Sequence, residues 1–228
     1  ERIPIPTAAS GSYTTPLSED PFAVSLGEKS AVFETAHDRI RTRAGVRVAR
    51  GTFVARRSES TFLATNGSRQ DQRITLCGGG LSAIAEHDGD VQTRSTPKGD
   101  EGQVLQGGYE LFRQLTLEGK AGLIADEAVA LTRAEPAPSG PTTVILDGSQ
   151  LSLQIHESVG HPTELDRVYG EEISLAGASF LLPGSPGSLR YGSDIVNLTA
   201  DATTPLGPGT YGFDDEGTPA TRTPLVER

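Results

Sequence analysis

The chain has no methionine, no tryptophan and a single cysteine, Cys77, in 228 residues. One thiol excludes an internal disulfide framework and suits a reducing compartment, so a cytoplasmic location is expected. The missing initiator methionine points to a processed, trimmed or partial chain. Basic residues are scarce as well: 20 Lys and Arg against 30 Asp and Glu leave a formal charge of −10. Nucleic-acid recognition draws on clustered positive charge, and aromatic residues make up only 5% of the chain, so no nucleic-acid partner is expected. No run of 18 or more apolar residues occurs, and no membrane span is expected. Residues 1–10 lack the basic flank and apolar stretch of a secretory leader.

Turn formers, by contrast, are plentiful. Glycine (27) and proline (15) stay below the share that marks low-complexity disorder, yet they favour many short elements over a long helical bundle. After a Pro-, Ser- and Thr-rich lead-in over residues 1–20, apolar positions Phe22, Leu26, Val32, Phe33, Ala36 and Ile40 recur at helical spacing, predicting a helix over 20–43. From Val46 to Thr96 the period falls to two. Asn66-Gly67 marks a hairpin turn, and Cys77-Gly78-Gly79-Gly80 predicts a bulge or a close backbone approach within an antiparallel meander of three or four short strands. Helical spacing returns over 107–133. Three prolines within Ala134 to Pro141 then mark a boundary, placing a first domain at residues 1–140 and a second at 141–228. A strand over Thr142–Leu146, a helix from Ser149 to about Asp166 and Gly- and Pro-punctuated β material complete the reading. The expected fold is α+β, with an N-terminal antiparallel sheet covered by helices and the start of a mainly β second domain.

Chemistry concentrates in His156-Glu157-Ser158-Val159-Gly160-His161, followed by Glu164 and Asp166. Neutral imidazoles are frequent zinc ligands, and a glutamate beside one can take a proton from zinc-bound water. The spacing is one residue longer than H-E-x-x-H. On a regular α-helix, positions i and i+5 lie about 140° apart around the axis, so the rings diverge. A π-bulge, which takes up one extra residue, would bring them back together. On spacing alone, two solvated histidines near a helix end explain the pattern as well as a ligand pair does. Glu164 and Asp166 can orient the rings as hydrogen-bond acceptors or simply cap a helix.

Together with the Asp147-Gly148 lead, this motif resembles the TldD/PmbA (modulator of gyrase) family, on its TldD side. Asn66-Gly-Ser-Arg69, Gln106-Gly-Gly-Tyr109-Glu110 and Asp214-Asp-Glu-Gly217 fit the same family in the same order, and the resemblance runs from about Pro16 to the end. It implies a cytoplasmic zinc metallopeptidase that degrades or trims unfolded or leader peptides, as a dimer with itself or with a TldE-like partner. His156 and His161 would be ligands and Glu157 the general base. The family's third ligand is a cysteine further toward the C-terminus, expected beyond Arg228. Cys77 does not match that position. The family also has more N-terminal sequence, so this chain is expected to be a central segment. The alternative is a non-catalytic, peptide-holding or dimerising scaffold, inactive as a fragment; stoichiometric zinc would separate the two. Asp214, Asp215 and Glu216 lack the alternating ligands of a calcium loop and are read as a turn or a polar cleft wall.

Overall fold

A computed structural model describes residues 7–99 and 102–227. The chain forms two compact units: one of residues up to Pro136 together with Thr199–Pro224, the other of Ala137–Leu198 with the last residues.

In the first unit, one long strand organises everything else. β3 (Arg69–His87) pairs along its length with β2 (Val46–Leu63), antiparallel through a turn at Asn66-Gly67. Its other edge is filled by three short strands in succession. β1 (Ser10–Thr14) lies parallel against 69–73, β5 (Gln103–Gln106) antiparallel against 76–79, and β4 (Asp90–Thr96) antiparallel against 81–87. The sheet is therefore mixed, and of the three strands between Val46 and Thr96 two are far longer than expected. Register between β2 and β3 runs unbroken through Gly78–Gly80, so no bulge forms there. The glycines serve close approach instead. A methyl group on Gly78 would overlap the carbonyl oxygen of Gln103, and one on Gly79 that of Thr52.

Helices cover one face of this sheet. α1 (Leu26–Arg41) starts later than the spacing predicts, because Ser25 accepts the N–H of Glu28 and sets the cap there. The 107–133 pattern is two helices, α2 (Tyr109–Gln114) and α3 (Leu117–Leu131), separated at Thr116 with φ 49°. Cys77, Leu81, Ala83 and Ala85 alternate along β3 toward this face. They pack with Ala36 and Ile40 of α1 and Ala121, Ile124, Ala125 and Ala128 of α3. Small side chains let the helices sit close. Phe33, Phe53, Tyr109 and Phe112 fill one end, with ring centroids 4.9–5.9 Å apart.

Residues 199–224, which the sequence places in the second domain, return to this unit. Gln70 donates to Gly217 O at 2.7 Å and Gln72 to Phe213 O at 2.8 Å, while Gln106 donates to Thr210 O. Gln72 Oε1 also accepts the N–H groups of Gly212 and Phe213. Asp214 accepts the N–H groups of Glu216 and Thr218 and builds a turn. β6 (Leu198–Asp201) and β7 (Arg222–Val226) pair at the two ends of this stretch.

Residues 137–198 are not mainly β. Thr142–Leu146 carries no strand, and Asp147 instead caps α4 (Gly148–Ile155) by accepting the N–H of Gln150. A π turn over His156–Gly160, a 3₁₀ turn over His161–Thr163 and α5 (Leu165–Tyr169) follow. Five glycines and two prolines between 170 and 192 then keep the chain in turns.

Candidate metal centre

The extra residue in the histidine spacing is taken up by the π turn. His161 donates its backbone N–H to His156 O, five residues back. That widening returns His161 to the side of the helix occupied by His156. The imidazole centroids are 4.3 Å apart at an interplanar angle of 76°. Glu157 Oε1 lies 3.8 Å from His156 Nε2. One donor atom from each of His156, Glu157 and His161 lies within 4.8 Å of the others.

Donors about 2.0–2.2 Å from one tetrahedral ion stand roughly 3.4 Å apart, and the 4.8 Å grouping places the two imidazoles in the range of a shared ion with Glu157 beside them. Two imidazoles suit a borderline-soft divalent ion such as zinc and the neighbouring carboxylate suits a base beside it, so the residues present fit that group. The trio is open to approach: the His156 and Glu157 side chains are 58% and 61% exposed, His161 29%.

Glu164 reaches the centre from the start of α5. Its Oε1 is 3.0 Å from His161 Nδ1, and its Oε2 is 2.9 Å from Arg167 Nε. A proton on Nδ1 facing this carboxylate leaves Nε2 as the ring's lone-pair atom. Asp166 makes a different contact, accepting the N–H of Arg167 at 2.7 Å in the first turn of α5. Cys77 lies fully buried in the sheet of the first unit.

Three contributors are absent from the sequence reading. Arg167 pairs with Glu164. Thr163 Oγ1 donates to the carbonyls of Val159 and Gly160. Tyr191 donates its hydroxyl to Ser158 O at 2.7 Å. The one sequence signal for the last is Pro162, which cannot supply a backbone N–H to the turn before it. Beside the trio an open, largely apolar cleft is bordered by Leu151, Ile155, Glu157, Phe180 and Tyr191.

Residues 19–134 match the PmbA/TldA metallopeptidase central domain, and residues 139–228 the PmbA/TldA metallopeptidase C-terminal domain. A protein of Methanocaldococcus jannaschii named metalloprotease is 31% identical over 166 residues, covering 73% of this chain and 34% of that protein. A metalloprotease of Methanothermobacter thermautotrophicus is 30% identical over 210 residues, 92% of this chain and 43% of that protein. The crystal structure of a putative modulator of a DNA gyrase from Thermotoga maritima superposes with a TM-score of 0.60. It is 18% identical and covers 92% of this chain and 45% of that one, which shows the shared fold. The chain thus spans less than half the length of these relatives.

Proposed function

The chain belongs to the TldD/PmbA metallopeptidase family, and we propose that it carries the motif half of a zinc peptidase site acting on unfolded or leader peptides. The observation that supports this reading is the π turn, which gathers His156, Glu157 and His161 where a regular helix would scatter them. His156 and His161 would hold the ion, and a cysteine outside this chain would complete the set, in keeping with the family resemblance. When bound, zinc polarises a peptide carbonyl and lowers the pKa of a nearby water.

This chain's own residues do the rest. Glu157, adjacent to His156 in sequence and largely exposed, takes the proton of the attacking water and returns it to the leaving amine. Glu164 would keep His161 in the tautomer whose Nε2 is free to bind the ion, and Arg167 pairs with Glu164 in turn. The proposal extends to a dimer with itself or a TldE-like chain, working in the cytoplasm. Among the described residues no helix is long and apolar enough to cross a membrane.

Metal analysis of the complete gene product tests the reading. Purified in zinc-supplemented buffer, it is expected to retain about one zinc per chain, and His156→Ala and His161→Ala to retain little. Equal metal in all three would contradict the site and favour the scaffold alternative.

A further inference from the structure

The carbonyl of Ser158 lies within the turn that carries both histidines, and the local backbone does not supply its regular partner. In an α-helical ladder the donor would be the N–H of residue 162. That residue is proline and has none. The N–H of His161 already serves His156 O.

The place is taken by a hydroxyl from 33 residues further along the chain, Tyr191 at 2.7 Å. Its ring is steadied against Phe180, with centroids 6.3 Å apart, and both rings border the cleft that Glu157 also lines. Thr163 serves the next two carbonyls from within the same helical segment. Ser179 donates to Pro162 O at 2.7 Å, one turn further on. Among these donors, Tyr191 alone reaches the π turn from outside the segment.

We propose that Tyr191 is a positioning residue for the metal centre, its hydroxyl holding the wide turn in the shape that brings His156, Glu157 and His161 together. The inference rests on reading that trio as a metal site. The tyrosine acts on the backbone that presents the ligands, so its loss loosens the site without removing a donor.

The test compares Tyr191→Phe with Ser179→Ala in the complete gene product. Each removes one hydroxyl of equal bond length, but only the first lies on the π turn. Two quantities are measured: amide hydrogen exchange of Gly160, His161 and Thr163 without metal, and zinc affinity by competition with a chromophoric chelator. Tyr191→Phe is expected to speed exchange at the His161 amide roughly tenfold and to weaken zinc binding roughly tenfold, as supporting groups around metal sites do. Ser179→Ala should leave zinc affinity within about twofold of the parent. Unchanged exchange and affinity in Tyr191→Phe would overturn the proposal. Equal losses in both variants would overturn it too, since general loosening would then explain them. A parent protein that binds no zinc, yet whose His161 amide still depends on the Tyr191 hydroxyl, would remove the metal reading and keep the tyrosine as the holder of the turn.

Discussion

His156 and His161 are joined through their backbones: the carbonyl oxygen of the first accepts the N–H of the second, and their rings stand 4.3 Å apart. Five residues of regular α-helix would turn the second ring about 140° away. The π geometry is therefore what makes the pair usable as ligands. The carbonyls of Ser158, Val159 and Gly160 accept hydroxyls from Tyr191 and Thr163, so the widened turn is held by specific donors.

Gly78 and Gly119 give opposite predictions for stability. A methyl group at Gly78 would collide with backbone at Gln103 and Val104, where β5 closes on β3. Gly78→Ala should cost at least about 2 kcal/mol, as overpacking of rigid backbone does. Gly119 sits within α3 with nothing near its added methyl group, so Gly119→Ala should stabilise by roughly 0.5–1 kcal/mol. Chemical denaturation of the two variants checks this. Indifference to Gly78→Ala would contradict the close approach.

The acid limb of stability follows from depressed carboxylates. Burial works against ionised Glu110, but the backbone N–H groups of Gly108 and Glu19 outweigh it and hold its carboxyl below the usual range. Arg113 does the same for Glu19, and the Phe22 N–H followed by Arg57 for Asp20. Groups lowered on folding stabilise above their unfolded values and lose that contribution as pH falls through the folded ones. The thermal midpoint should hold steady from pH 7 to about 5 and drop below about 4.5, less steeply in Glu110→Gln. A midpoint that rises on acidification would contradict the sign.

Cys77 should be inert. Burial first, then the negative charge of Glu110, pushes its thiol up to about 11. At pH 8 a thiol reagent should label the native protein only at the rate at which it opens, and label it fully in denaturant. Because the folded value is raised, the unfolded state releases this proton first as pH climbs past about 8.5, and stability declines there. Rapid stoichiometric labelling of the native protein would contradict the burial.

Much of this molecule was legible where a pattern repeats or a residue type has one job. Alternation through Val46–Thr96, the Asn66-Gly67 turn and the glycine triplet named the sheet and its tight crossing. The surplus residue between His156 and His161 calls for a widened turn only if both rings are to share an ion, and spacing alone left that open. Other features carry no periodic signal. β1 joins the sheet through backbone pairing, so its Ser- and Thr-rich sequence reads as lead-in. Residues 199–224 are tied to the first unit by glutamine amides reaching main-chain groups, a bond type any loop can accept. Thr116 divides α2 from α3 through its own backbone angle, which no apolar spacing announces.

The most direct test of the account is zinc content measured alongside peptide cleavage in Glu157→Gln of the complete gene product. The amide keeps size and hydrogen bonding but cannot take a proton. Zinc should remain near one per chain while cleavage of an unfolded peptide falls by roughly 10²–10⁴-fold. Cleavage at the parent rate with zinc intact would contradict the assignment of Glu157 as the base.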